Sequence, residues 1–295
     1  MRHFLVSIPN DAPLAERLGK KGSVNGLTFY NRKIDDCVFV VLTPTNPETK
    51  FNAVAETITL SDNVLVSTSK FDRLFAESII GCSVLGKNIL LTGDSDASAI
   101  MQQSKIEFKV VQEDQLFEYL KNREEKAVED KVVVEVDKAF EVKGIGTVVL
   151  GIVKRGKVKV HDSLFLSIGK SISVRSIQTQ DQDVQESGIN SRVGLAIKGL
   201  GSDDIEKGEL LSDAPVGKTD KLKARIKISG MVKEKGFDYN EMWFVCGFRS
   251  SICKVAESGD SCEITLSAKL PLMKEEGFLL VRKQEPRIFA GGTIL

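Results

Sequence analysis

The sequence predicts three domains, an α/β domain followed by two β-barrels. Over residues 1–125, strand-like and helix-like segments alternate, which is typical of a mostly parallel sheet covered by helices on both faces. From Val132 onward helical periodicity disappears, and short strands recur about every ten residues between Gly, Asn and Asp, as in β-barrels. A break at Asp213–Gly217 divides this second half. We therefore predict domains at residues 1–127, 128–214 and 215–295.

Each element of the first domain follows from a local signal. Its strands are short apolar runs, and its helices have helix-like composition and capping residues. Asn10 or Asp11 is the expected N-cap of the first helix, and Pro13 suits its first turn. The predicted strands are Phe4–Pro9, Cys37–Thr43, Asn63–Thr68, Asn88–Thr92 and Glu107–Val111. The predicted helices are Leu14–Gly19, Phe51–Leu60, Phe71–Val84, Asp94–Gln103 and Gln115–Arg123.

A β-hairpin opens the second domain. Apolar and polar residues alternate up to Gly144-Ile145-Gly146, and a run of Thr, Val and Leu with high strand propensity follows. Two glycines around one residue suit a tight reversal, because glycine accepts positive φ. The strands predicted in the third domain are Lys223–Ile228, Met242–Val245, Ile252–Val255, Cys262–Leu266, Phe278–Arg282 and a last strand within Arg287–Leu295.

Composition excludes several classes of protein. Of the 295 residues 42% are apolar, and no apolar run approaches the length of a membrane span. The start, Met1–Ile8, is too short and too soon broken to be a signal peptide. Five cysteines without a CxxC pair suit reduced thiols, and only two histidines are present. We therefore predict a cytoplasmic protein with no metal site and no contact with a membrane.

The charge is balanced overall but uneven along the chain. Residues 1–125 carry 14 basic and 17 acidic side chains, a net charge of −3, whereas residues 215–295 carry 14 and 10, a net charge of +4. A total of zero argues against avid, nonspecific binding of nucleic acid, and no DNA partner is expected. The basic last third is compatible with a local RNA-facing patch, and equally with simple scatter of charge.

An ordered set of segments resembles a known family. The hairpin Asp137–Val153, the turn Gly156–Asp162, the strand Arg192–Leu200 and the loop Asp203–Gly208 closely resemble the second domain of the EF-Tu-like translation factors. Within that family the set is most similar to SelB, the selenocysteine-specific elongation factor, although His161 replaces a usual glycine. The ending Arg287–Leu295 is similar to the last strand of the family's third domain.

The resemblance implies that the first domain is a GTPase-like domain whose nucleotide motifs are degenerate. The P-loop needs glycines and a lysine to hold the phosphates, but here the chain passes through Asn10 and Asp11 with neither. At the family's DxPGH motif, Leu42 stands for the aspartate, Thr45 for the glycine and Asn46 for the histidine. Asp94 aligns with the aspartate of NKxD, without its asparagine and lysine.

From these losses we expect no cofactor and no GTP hydrolysis. The resemblance then implies a SelB-like paralogue, of archaeal type, that binds tRNA or the ribosome without nucleotide, or that regulates another translation factor. A protein-binding scaffold without RNA contact is the alternative, and a working GTPase is the chemically weakest one. Because the sequence stops directly after the third-domain-like strand, the further C-terminal domain of SelB has no counterpart here and selenocysteine insertion is not expected.

Individual residues carry the predicted surfaces. Arg175, Arg192 and Lys198 lie on strands whose family counterparts face tRNA or the ribosome, although a basic residue there more often belongs simply to a solvated strand face. In the family the hairpin tip Gly144-Ile145-Gly146 faces the first domain. Lys20-Lys21-Gly22 reads as a solvated loop rather than a phosphate site, and Trp243 reads as a core residue rather than a base-stacking one.

Overall fold

The computed structural model contains one α/β domain and two β-barrels, which confirms the predicted fold class. It describes residues 1–295 except 51, 94–96, 98–100, 103, 124–130, 168, 234–235, 238–240 and 259–260. The predicted boundary near residue 127 and most of the predicted helix Asp94–Gln103 lie outside the described residues. Among the described residues, every helix is too short or too polar to span a lipid bilayer.

A seven-stranded sheet forms the first domain, with strand order β2-β3-β4-β1-β5-β6-β7. β1, β4, β5, β6 and β7 run parallel, as the alternation of strands and helices predicts. The strands are β1 (Arg2–Ser7), β2 (Lys20–Asn25), β3 (Leu27–Ile34), β4 (Cys37–Pro44), β5 (Asn63–Ser67), β6 (Asn88–Thr92) and β7 (Lys109–Val110). The described helices are α1 (Ala12–Leu18), α2 (Ala53–Leu60), α3 (Arg73–Leu85) and α4 (Leu116–Lys121).

The hairpin β2–β3 was missed by the sequence reading. Lys20 and Lys21 were expected in a loop, but they begin β2, which pairs antiparallel with β3 at the edge of the sheet. Both lysine side chains are exposed, so β2 lacks the apolar run by which a strand is predicted. Lysine is common on edge strands because it prevents pairing with another chain. The first half of β3, Leu27–Tyr30, is buried against the core, and the second half is mostly polar. The apolar run was therefore too short for the strand to be predicted from the sequence.

The second domain is a closed ring of antiparallel strands. Its sheet runs β11-β16-β8-β9-β15-β12-β13, and a further pairing of β11 with β12 closes the ring. Valine, leucine and isoleucine from alternate positions fill the interior. The strands are β8 (Val133–Val142), β9 (Gly146–Arg155), β10 (Lys157–Lys159), β11 (Ser163–Leu166), β12 (Ser171–Thr179), β13 (Gln182–Val184), β14 (Glu186–Gly188), β15 (Arg192–Lys198) and β16 (Leu210–Ser212).

The third domain is a closed barrel of strand order β17-β20-β19-β18-β21-β22. Its predicted strands are all present, and β17, β19 and β20 are several residues longer than predicted. The strands are β17 (Lys218–Ile228), β18 (Met242–Cys246), β19 (Arg249–Ser258), β20 (Ser261–Pro271), β21 (Gly277–Arg282) and β22 (Ile288–Ile294). Trp243 lies in β18 and packs against the core, as its core assignment predicted.

The first domain rests on the third barrel through an apolar face. α2 and α3 pack mainly on β18, β21 and β22, so that the two domains share one continuous core. Gly81 of α3 allows this close approach, because a side chain there would meet Leu279 at 3.3 Å. Domains that share an apolar core are expected to move little relative to one another, because separating them would expose that core.

A buried polar cluster joins all three domains beside this apolar face. Glu135 of β8 is fully buried, and its Oε1 accepts hydrogen bonds from the Phe248 N–H at 2.7 Å and from Arg249 Nε at 3.1 Å. The neighbouring Gly247 N–H donates to Thr59 Oγ1 of α2 at 3.0 Å. Arg249 also binds Glu276 through both terminal nitrogens, at 2.9 and 2.7 Å. We call Thr59, Glu135, Gly247, Phe248 and Arg249 the junction cluster.

The junction cluster has no room for a side chain at Gly247. Its φ is +59°, and a Cβ there would lie 2.1 Å from Glu135 Oε1. We predict that Gly247→Ala displaces Glu135 from Arg249 and lowers the free energy of unfolding by about 3 kcal/mol or more, the usual cost of breaking a buried ion pair. Urea denaturation followed by circular dichroism measures this loss.

Gly144→Ala is the matched control for that substitution. Gly144 also has a positive φ, of 83°, but a Cβ there has no neighbour within 4 Å. The control therefore carries only the backbone strain, about 1–2 kcal/mol. Equal losses in the two variants would show that Gly247 is not held against Glu135.

Candidate functional site

The position expected for a nucleotide lies at the carboxyl end of β1, where ligands of open α/β sheets usually bind. Here the side chain of Asn10 ties the end of β1 to the end of β5. Its Nδ2 donates to the Ser67 carbonyl at 2.7 Å, and its Oδ1 accepts from the Ser67 N–H at 3.0 Å. Asn10 thus spans the gap between two strand ends with bonds inside the protein.

Asp11 occupies the start of α1, where a P-loop would present N–H groups to phosphate. It is the N-cap, as predicted, and its Oδ1 accepts from the Leu14 N–H at 2.9 Å. Its Oδ2 lies 3.4 Å from the hydroxyl of Ser69. A carboxylate that already serves the helix end repels a phosphate there, since both groups are negatively charged.

The residues aligned with the DxPGH motif also have structural roles. Leu42 is fully buried in an apolar cluster and offers no ligand atom to Mg²⁺. The Thr45 hydroxyl lies 2.8 Å from that of Thr28. Asn46 has a φ of +52°, and its carbonyl accepts the N–H groups of Thr49 and Lys50 in a turn. Asp94, which was aligned with the aspartate of NKxD, lies outside the described residues.

The loop that follows β4 is bound to the third barrel by Arg287. Its guanidinium donates to the carbonyls of Pro47 at 3.2 Å and Glu48 at 3.4 Å. Its own N–H donates to Glu77 Oε1 of α3 at 2.9 Å. One arginine therefore ties this loop, α3 and the third barrel together.

Arg192 is not available for RNA, which corrects its assignment to the RNA-facing surface. Its side chain is 10% exposed and forms an ion pair with Asp137, which is fully buried. The guanidinium also donates to Ser23 Oγ at 3.2 Å and stacks 3.9 Å from the ring centre of Phe29. Burial lowers the pKa of Arg192, against the opposing effect of Asp137. Arg192 thus joins the second barrel to the first domain.

Arg175 and Lys198 remain exposed, on neighbouring strands of the second barrel. Arg175 donates to the carbonyl of Ile145 at 3.1 Å, so both cations lie near the tip of the β8–β9 hairpin. This end of the barrel is the part of the predicted surface that stays accessible.

The hairpin tip does not face the first domain, so that prediction was wrong. Ile145 is 44% exposed, and Gly144 and Gly146 have open space where a Cβ would be. The opposite ends of the same two strands make the interface, through Glu135 and through Lys154, which donates to the Leu60 carbonyl at 2.6 Å. Each strand has ten residues, which places the tip about 30 Å from that interface.

A regular array of four accessible cations, missed by the sequence reading, lies on β17. Lys221, Lys223, Arg225 and Lys227 alternate with more buried residues and are all exposed. None of the four side chains forms an ion pair or hydrogen bond with another described residue. We call them the β17 stripe. The alternation of basic and apolar residues over Lys221–Ile228 is the signal that could have revealed it.

The Arg192–Asp137 pair yields a prediction about stability. Arg192→Met leaves the buried Asp137 carboxylate without its counter-ion, which we expect to lower the free energy of unfolding by about 3–5 kcal/mol. Lys198→Met, on the exposed part of the same strand, should change it by less than about 0.5 kcal/mol. Adding Asp137→Asn to Arg192→Met should recover part of the loss. Urea denaturation of the variants tests the pair, and an Arg192→Met protein as stable as Lys198→Met would contradict it.

Comparison with known sequences finds translation factors. Residues 146–212 match the family described as Elongation factor Tu domain 2. An uncharacterized protein of Methanocaldococcus jannaschii is 28% identical over 277 residues, covering 89% of this chain and 87% of that protein. The selenocysteine-specific elongation factor of the same organism is 39% identical over 101 residues, which are 33% of this chain and 22% of that protein. The Escherichia coli factor is 40% identical over 83 residues, 27% and 14% of the two chains.

Solved structures extend the similarity to the whole chain. Translation elongation factor SelB from Methanococcus maripaludis, in complex with the GTP analogue GPPNHP, superposes with a TM-score of 0.82 at 19% identity, over 100% of this chain and 79% of that one. A bacterial selenocysteine-specific elongation factor, EF-Sec, gives 0.82 at 14% identity, over 99% and 58%. Identities this low establish the fold alone. The chain therefore has the EF-Tu/SelB-like fold, an α/β domain followed by two β-barrels.

Proposed function

We propose that this protein is a translation-factor-like RNA-binding protein that works without a nucleotide, with tRNA or ribosomal RNA as its partner. The fold and the similarity to elongation factors support the translation-related role. The β17 stripe supports an RNA partner. The use of Asn10 and Asp11 inside the protein supports independence from GTP, and with it the absence of GTP hydrolysis.

The β17 stripe is the observation that carries the RNA assignment. Alternate residues of a strand are about 6.8 Å apart, so four cations on one face of β17 extend over about 20 Å. A regular row of cations that form no ion pair with any described residue suits a polyanionic backbone, since each contact to a phosphate releases condensed counterions. The stripe is also accessible, since its four side chains are exposed while α3 packs on the neighbouring strand β22.

Few acidic side chains compete for this surface. Among the described cross-strand pairs, Lys221 lies opposite Thr265, Arg225 opposite Thr293 and Lys227 opposite Gly291, whereas Lys223 lies opposite a carboxylate, that of Glu263. The stripe therefore places four cations on one strand although the chain as a whole is neutral. Such a patch gives phosphate contacts that position an RNA without reading its sequence.

The test is tRNA binding by the double variant Arg225→Ala/Lys227→Ala over a series of salt concentrations. We expect weaker binding and a salt slope lower by about two, since each lost phosphate contact reduces the slope by about one. The double variant Lys20→Ala/Lys21→Ala removes two exposed cations from the edge of the first domain and should leave both quantities unchanged. GTP and Mg²⁺ should have no effect on binding by the wild type.

Two outcomes would overturn the proposal. An equal loss of tRNA binding in both double variants would show that net charge, not the β17 stripe, is responsible. A wild-type protein that neither binds tRNA at low salt nor sediments with ribosomes would favour the protein-binding scaffold, including a regulator of another translation factor.

A further inference from the structure

The turn between β2 and β3 carries the only Asn-Gly pair of the sequence, Asn25-Gly26. Asn25 is the last residue of β2, and Gly26 has a φ of +78°. Asparagine is one of the thermolabile residues of proteins. It is most labile before glycine, because glycine has no side chain to hinder the attack of its backbone nitrogen on the neighbouring side-chain amide.

The amide of Asn25 joins the first domain to the second barrel. Its Nδ2 donates to Asp137 Oδ1 at 3.0 Å and to the Asp137 carbonyl at 3.2 Å. Asp137 is fully buried and is the carboxylate that pairs with Arg192. Conversion of this amide to a carboxylate would replace a donor by an acceptor that faces another carboxylate, which leaves the contact without a hydrogen bond.

A cleft of about 330 Å³, open to solvent, lies beside Asn25 and Gly26 and gives water access to them. Two ammonium groups line it next to the glycine. A Cβ on Gly26 would lie 3.6 Å from Lys207 Nζ and 4.0 Å from Lys50 Nζ. Lys207 is paired with Glu56 at 2.8 Å, whereas Lys50 forms no ion pair with another described residue. Positive charge at this place stabilises the anion that forms when a backbone nitrogen adds to an amide carbonyl.

We propose that Asn25-Gly26 is a self-modification site at which the folded protein deamidates. The Gly26 nitrogen forms a bond to the side-chain carbonyl carbon of Asn25, and the bond from that carbon to Nδ2 breaks. The proton lost by Gly26 leaves with Nδ2 as ammonia, and a succinimide ring remains. Water from the cleft adds to a ring carbonyl, and cleavage of the ring C–N bond gives aspartate or isoaspartate. The new carboxylate no longer donates to Asp137, so the first domain is held less tightly to the second barrel.

The experiment is storage of the full chain in mildly alkaline buffer, followed by mass spectrometry of the tryptic peptides. We expect the amide of peptide 22–32 to become an acid in the folded protein. Its rate should exceed that of Asn52 at least about tenfold, since Asn52 lines the same cleft but precedes Ala53, whose side chain hinders the attack. An intact Asn25 in the folded protein, while the urea-unfolded chain deamidates, would show that the fold protects it and would overturn the proposal. Conversion of Asn52 as fast as that of Asn25 would overturn it as well.

Variants test the role of the cleft and the effect on the domain contact. Lys50→Met should slow the conversion at least about threefold through the loss of one nearby charge, whereas Lys20→Met, which removes an exposed cation from the start of β2, should not slow it. Asn25→Asp should unfold at a lower urea concentration than the wild type. Asn25→Gln keeps an amide but forms the corresponding ring far more slowly, so its stability should not fall on storage. An unchanged rate in Lys50→Met, or an Asn25→Asp protein as stable as the wild type, would contradict the account.

Discussion

The buried carboxylate of Glu135 is the constraint on which the domain arrangement depends. It belongs to the second barrel but is neutralised by Arg249 of the third, and Gly247, in the turn just before Arg249, is also bonded to Thr59 of the first domain. A buried ion pair adds little net stability, but breaking it leaves an uncompensated charge. Alternative dockings of the three domains are therefore unfavourable because they would expose this cost.

Two further sets of polar interactions, at separate places, also hold the domains in this arrangement. Arg192 pairs with Asp137 between the second barrel and the first domain, and Arg287 holds the loop after β4 and the carboxylate of Glu77. In switching GTPases, contacts to the γ-phosphate order such loops, and the nucleotide changes the domain arrangement through that differential binding. Here the corresponding interactions come from the protein's own side chains, which fits a body of fixed shape that presents the β17 stripe.

The sequence predicted the fold class and most elements, because valine-rich strands and capped helices are local signals. Asp11 as N-cap and the turn at Gly144 followed from such signals. Whether a charged residue is buried between domains depends on how the domains dock, which a local sequence pattern does not indicate. Arg192 was therefore predicted to be a surface residue although it lies in an interface. The hairpin tip was misplaced for the same reason, since its orientation depends on docking. The domain boundaries, the absence of a nucleotide and the RNA partner remain predictions.

Small-angle X-ray scattering with and without GTP and Mg²⁺ tests the central claim most directly, namely that the three domains hold one arrangement without a nucleotide. Identical curves at saturating nucleotide concentrations are the predicted result, because no described group at the end of β1 gives GTP a differential affinity for another arrangement. A clear change in the radius of gyration on adding GTP would contradict the account.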